Sequence, residues 1–210
     1  MLSNLRFLRL RRLRQYNYLL ESMAFENIIK RSRSYRRFYK DYKVEEKTLR
    51  TLVNLARLSP SAANLQPLKY IFSFQPSKNN LIFPTLAWAG YLKDWPGPQK
   101  GERPSAYIII LGDKAISKSF NCDCGIASQS IMLGAAEKGL GGCIIGSIDR
   151  DLLRRNLNIP QKYAILLVIA LGKPKEKVVI EESKGNIKYF RDNNDIHHVP
   201  KRPLEEIIIG

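Results

Sequence analysis

The chain has 210 residues, 44% of them apolar and 10% aromatic, which fits one domain with a sizeable core and argues against a disordered chain. Its longest apolar run, the nine residues Tyr163–Leu171, falls well short of the roughly 20 needed to cross a bilayer as a helix. The net charge of +16 is concentrated at one end: residues 1–40 hold eleven Lys/Arg against two acids, nine of the sixteen charges.

In chain order, residues 1–22 come first. They lack the continuous apolar stretch of a secretory signal and read as a basic extension, either presequence-like or upstream of a true start at Met23, and dispensable to the fold. Residues 23–210 then read as a single domain. A short helix over 24–31 runs into "RSYRRF" (33–38). "VEEKTLRTLVNLARLS" (44–59) is an amphipathic helix, with Leu49, Leu52, Val53 and Ala56 at i, i+3, i+4 and i+7. Pro60 ends it, and the polar loop "SPSAANLQP" follows. Strands are predicted at 68–74 and 105–112, separated by an aromatic, Pro/Gly-rich loop (88–104) whose length suits a lid or an interface.

A small-residue helix over about 123–138 is stopped by Gly139. A short strand over 141–147 and a helix over 149–157, capped by Asp149, follow. "YAILLVIALG" is a central strand. The tail ends in three isoleucines with no helix to bury them, which predicts an apolar arm packed on a second copy, hence a homodimer with exchanged terminal arms. Helices mixed with a few strands, without a regular βαβ repeat, predict the α+β class.

Three cysteines, Cys122, Cys124 and Cys143, form no disulfide framework and no four-ligand zinc pattern. They read as buried or half-buried thiols in a reducing, cytoplasmic compartment, and no metal site is expected. Neither G-x-G-x-x-G after a strand nor G-x-x-x-x-G-K-[ST] occurs.

Three stretches carry chemistry. Arg33, Ser34 and Arg36 can supply two guanidiniums and a hydroxyl to a phosphate, although a basic arm with a chance serine fits the residues equally well. Ser61, Asn64 and Gln66, on the loop stiffened by Pro60, can meet the edge of a polar heterocycle, or form a simple polar turn. "DCGIASQSIMLGAAEKGLGGCIIG" joins a helix suited to close approach to a glycine-rich exit, where Gly141 and Gly142 let backbone reach a ring face or a neighbouring element.

In this order the three stretches resemble the nitroreductase family: "SRSYRRF" its R-S-x-R-x-F signature, "SPSAANLQP" its P-S-x-x-N-x-Q-P loop, and "DCGIASQ…GLGGCIIG" its D-x-G-x-A-x-Q helix with a G-L-G exit. "ALGKP" and "HHVPKRPLEEII" are similar to late elements of a short branch of that family. The resemblance covers residues 23–210. It implies an α+β homodimer, with a central mostly antiparallel sheet flanked by helices and two FMN sites between subunits. Arg33, Ser34 and Arg36 would hold the FMN phosphate with Lys173. Pro60, Ser61, Asn64 and Gln66 would come from the second subunit. Gly141, Gly142 and Cys143 would lie beside the isoalloxazine. Ser32 stands where many members have arginine, and Ala62 where a second hydroxyl is common, so the individual contacts differ from the family pattern.

The implied activity passes hydride from NAD(P)H through FMN to a small electron-poor acceptor, a nitroaromatic or quinone, with no catalytic side chain required. His197 and His198 read as peripheral. Tyr91 and Trp95 either border the acceptor or pack an interface. Two rival readings are a basic nucleic-acid-binding protein, poor in motifs, and the same fold using flavin for dehalogenation, flavin breakdown or binding alone. A membrane partner is not expected.

Overall fold

The two most apolar runs of the chain lie side by side at the centre of a sheet. In the computed structural model, which describes residues 24–210, β2 (Ala106–Asp113) pairs antiparallel with β4 (Tyr163–Gly172). The predicted extension over residues 1–22 lies outside the described residues. β1 (Leu68–Ser73) and β3 (Gly141–Ile145) complete a four-stranded, wholly antiparallel sheet in the order β1-β2-β4-β3.

Both faces of this sheet are covered, which is why β2 and β4 read as continuous apolar runs and not as alternating ones. On one face Ile108, Ile110, Ile169 and Leu171 pack under α2 (Glu46–Leu58) and α4 (Asn121–Glu137) through Leu49, Leu52, Ile131 and Ala135. On the other, Tyr107, Ile109, Val168 and Ala170 meet Ile82 of α3 (Pro76–Ile82) and Leu153 of α5 (Arg150–Leu157). The described residues open with α1 over 24–31. This is an α+β fold, an antiparallel sheet between layers of helices.

Local signals account for the helix ends. The Asp149 side chain accepts from Leu152 N at 2.9 Å and caps α5 as its sequence predicts. Gly139, at φ +67°, stops α4 in the left-handed conformation that favours glycine. Within α4, a Cβ on Gly134 would lie 2.3 Å from Leu55 Cδ1, so this small residue serves packing against α2 of the same chain. Cys122, Gly125, Ile126 and Gln129 face outward. Cys122 is therefore exposed, contrary to the expectation of buried thiols, because its helical position points away from α2.

A second, three-stranded sheet has the order β5-β7-β6, from β5 (Val178–Glu182), β6 (Phe190–Arg191) and β7 (His197–Lys201). It corrects the reading of the two histidines as peripheral: His197 is 1% exposed, since β7 is the middle strand. The tail forms one helical turn, α6 (Leu204–Ile207), where an extended arm was predicted. Its apolar side chains remain exposed, Ile209 to 97%. No helix among the described residues is long and apolar enough to cross a membrane.

Candidate functional site

Residues 33–38 are docked on the main sheet by their backbone. Tyr35 N donates to Gly142 O at 2.8 Å, Phe38 N to Glu102 O at 3.0 Å, and Tyr39 N to Lys173 O at 2.9 Å. Phe38 is fully buried against Gly172. An apolar anchor and a strand-like bridge thus hold the basic cluster at the end of the sheet where β3 begins.

The arginines part company from there. Arg33 turns back to donate from Nη2 to Ile29 O of α1 at 2.8 Å, and Ser34 is exposed beside Gly142. Arg37 forms a bidentate pair with Glu102, Nε–Oε2 2.7 Å and Nη2–Oε1 2.9 Å, and Lys175 Nζ reaches the same carboxylate at 2.8 Å. The Arg37 bond, with Lys175 behind it, holds Glu102 down at about 2.

Arg36 is 8% exposed, yet its guanidinium meets only neutral acceptors: Nη1 donates to Ser34 O at 3.3 Å and to His197 Nε2 at 3.2 Å, with the Tyr189 ring 4.8 Å from Cζ. The buried carboxylate nearby, Glu176, accepts from the backbone N–H of Arg36 and of Arg37, and pairs with Arg191 Nη2 at 2.8 Å. Among the described residues Arg36 has no ion pair. A buried guanidinium without a counter-ion is costly, and an anion held there would offset that cost.

Arg36 opens on a cavity of about 180 Å³ whose other walls are Ala87–Gly90 and Cys143–Ser147, the exit of β3. Trp88 lines it, with its indole Nε1 buried on the side of Gly97 and without a partner among the described residues. Burial pushes the Cys143 thiol up, so it stays protonated. Gly141 and Gly142 stand just behind this wall. A Cβ on Gly141 would meet the Tyr35 ring at 2.5 Å, and one on Gly142 would meet Ala170 O at 2.7 Å. Lys173 is exposed and donates from Nζ to Gly139 O at 3.1 Å, beyond the paired Gly141 and Gly172.

The loop after α2 is a separate half-site. Asp123, buried in the first turn of α4, accepts from Ser61 Oγ at 2.8 Å and from Ala62 N at 2.9 Å. Ser61 Oγ in turn accepts from Gln66 N at 2.9 Å, and Asn64 Oδ1 from Gln66 Nε2 at 3.1 Å. Ala63, Asn64 and Gln66 all have φ near +50°, a conformation that costs energy in non-glycine residues. The anchored loop turns Pro60, Asn64 and Gln66 outward.

One chain does not bring the two halves together. The loop enters β1 at Leu68, level with Ala164 on β4, whereas Gly142 pairs with Leu171. That is about 23 Å further along the strand at ~3.3 Å per residue, and β1 and β3 are opposite edges of the sheet. Arg33, Ser34, Arg36, Gly141, Gly142, Cys143 and Lys173 share one end, and Pro60, Ser61, Asn64 and Gln66 lie at the other. Tyr91 and Trp95 pack on the second sheet: Tyr91 lies 4.8 Å from the Tyr189 ring, and the Arg191 guanidinium covers Trp95 at 4.3 Å.

Sequence reasoning missed His197, Glu176, Tyr189 and Trp88. The only signal for Glu176 was a lone acid in a basic stretch, "KPKEK". Among the described residues no three His, Cys, Asp or Glu cluster as metal ligands.

Comparison with known proteins agrees with this architecture. The model of the nitroreductase family matches residues 29–173. A relative from Methanothermobacter thermautotrophicus, named "Putative NADH dehydrogenase/NAD(P)H nitroreductase", is 31% identical over 70% of this chain and 76% of its own. An FMN-dependent nitroreductase from Clostridium difficile is 26% identical, with a TM-score of 0.57 over 71% of this chain and 87% of its own. A protein from Desulfovibrio desulfuricans solved in complex with FMN is 20% identical and shares the fold, with a TM-score of 0.65 over 89% of this chain and 95% of its own. From its docked basic signature to the end of its central strand, the chain belongs to the nitroreductase family of oxidoreductases.

Proposed function

We propose that the chain is an FMN-dependent oxidoreductase that passes hydride from NAD(P)H to a small electron-poor acceptor, a quinone or nitroaromatic. The observation that carries this is Arg36, a buried guanidinium without a counter-ion that opens on a cavity at the family's signature. The cavity beside it is walled by Trp88 and by Cys143–Ser147, an aromatic surface and a strand exit next to the charge. FMN, when bound, supplies the two-electron chemistry.

The chain's own residues hold and shield. Arg33, Ser34, Arg36 and Lys173 provide positive charge and hydrogen bonds for the phosphate and for negative charge on the ring. Gly141, Gly142 and Cys143 would lie beside the ring, and Trp88, on another wall of the cavity, would help exclude water. Pro60, Ser61, Asn64 and Gln66 close the site from a second copy of the chain. This reading requires a homodimer, because the halves lie at opposite ends and edges of one sheet. With hydride delivered and taken up by the bound cofactor, no side-chain base would be needed. The three cysteines are free thiols, in keeping with a reducing, cytoplasmic setting.

The test is the absorption spectrum of purified protein, then NAD(P)H oxidation with quinone and nitroarene acceptors. Yellow dimer with steady-state turnover is expected. Colourless protein with steeply salt-dependent DNA affinity would overturn the reading, and bound FMN without turnover would leave only its binding half. Arg36→Ala is expected to weaken FMN retention by about 2 kcal/mol, the scale of a charged hydrogen bond. Unchanged affinity would remove Arg36 from the site.

A further inference from the structure

Arg36 is fixed by an unusual partner for a buried arginine. Its Nη1 reaches His197 Nε2 at 3.2 Å, and a guanidinium can only donate. Nε2 must therefore accept, which places the imidazole proton on Nδ1. The ring is 1% exposed, and its Nδ1 has no partner among the described residues. A histidine retained to tie two elements together would engage both nitrogens, whereas this one makes a single polar side-chain contact, with Arg36. Tyr189 lies beside both, its ring tilted 51° to the imidazole at 5.2 Å and 4.8 Å from the guanidinium carbon.

The carboxylate that could have held Arg36 is oriented elsewhere. Glu176 has its side chain almost fully buried and binds Arg191 and two backbone N–H groups. Were it, or any acid, on the Arg36 guanidinium, the pair would be close to neutral and the attraction for an incoming anion largely cancelled. A neutral acceptor fixes the same direction without cancelling the charge. Burial, then Arg36, Arg191 and His198, keep His197 neutral down to about pH 4, so the arrangement persists at physiological pH.

We propose that His197 is a positioning residue of the anion site: as an uncharged acceptor it aims the Arg36 guanidinium at the cavity while leaving its full positive charge to the ligand. The inference rests on the FMN reading for the identity of the ligand, but not for the His197–Arg36 bond.

Two measurements test it. In the protein as purified, freed of any ligand, long-range ¹H–¹⁵N spectra at pH 7 are expected to show His197 as the Nδ1–H tautomer with Nε2 unprotonated. Arg36→Ala is expected to release that preference toward the tautomer mixture of free histidine. An Nε2–H tautomer, or one indifferent to Arg36→Ala, overturns the proposal whether or not the protein binds flavin. FMN titration of the apoprotein then compares His197→Gln, His197→Leu and His197→Glu, each first shown to melt cooperatively. Gln, a neutral acceptor, is expected within about threefold of wild type. Leu, which holds nothing, should weaken binding about tenfold, and Glu, which holds but neutralises, by more than Leu. Glu binding as tightly as Gln, or all three variants equal, would reduce His197 to a packing residue. Failure of the wild type to bind FMN would instead overturn the reading under Proposed function, with the tautomer still deciding the role of His197.

Discussion

Asp123 and Ser61 meet at 2.8 Å, joining the first turn of α4 to the loop that precedes β1. The same carboxylate also takes the N–H of Ala62, so one buried side chain holds a loop that carries three residues at positive φ. Asp123→Ala leaves a hydroxyl and an amide without acceptors. It is expected to destabilise the protein by about 2 to 3 kcal/mol in urea denaturation, with Asp123→Asn costing less because it preserves one acceptor. Equal stability of wild type and Asp123→Ala would show that the loop holds its shape without the anchor.

Gly142→Ala tests the docking of the basic segment. Its Cβ would lie 2.7 Å from the backbone oxygen of Ala170, and backbone in a central ladder cannot move aside cheaply. The expected loss is about 1 to 3 kcal/mol in thermal or denaturant melts. Since Gly142 O also accepts from Tyr35 N, flavin retention should fall along with stability. A variant as stable as wild type would mean that β3 shifts freely.

Acid should weaken the fold partly through one ring. His197 is held down at about 4, chiefly by burial and then by the charges of Arg36, Arg191 and His198, with the Tyr189 ring tilted beside it. Unfolded, it titrates near 6.5, so between those values the unfolded chain binds the extra proton and stability falls as pH falls, by up to about 1.4 kcal/mol per pH unit. The stability advantage of wild type over His197→Gln should therefore shrink by about 2 kcal/mol between pH 7 and pH 5. An advantage that is constant with pH would mean the ring is free to protonate in place.

Removing residues 204–210 should separate the two uses of the tail. Leu204, Ile207, Ile208 and Ile209 are mostly exposed on the single chain, so their loss should change the melting temperature of the isolated protomer little. If they cover a second copy, sedimentation should show the dimer dissociating at least tenfold more readily. A truncated chain that dimerises normally would place the contact elsewhere, on the exposed face of α4.

Much of this fold was legible because its signals are local. The apolar run of β4, the helical period of α2 and the Asp149 cap each act within a few residues, and each element forms where those signals place it. The helix α3 went unread because "PSKNNLI" shows only two apolar positions, too few to reveal a period, despite Pro76 at its start. The second sheet went unread because its short strands are specified by one another across intervals of about twenty residues. For the site, composition showed that "RSYRRF" is basic, but not which arginine is buried. That depends on Glu176 and His197, 140 and 161 positions away in sequence, and no local pattern encodes it.

The separation of the two half-sites across one sheet has a consequence for genetics. On the proposed arrangement, a chain disabled at Arg36 still presents an intact 60–66 loop, and a chain disabled in that loop still presents an intact Arg36. Co-expressed, the two should rescue one another, since a mixed pair rebuilds one working centre from its two sound halves and leaves the other doubly broken. Either variant alone would hold flavin only weakly, yet together about half of the dimers should carry one firmly.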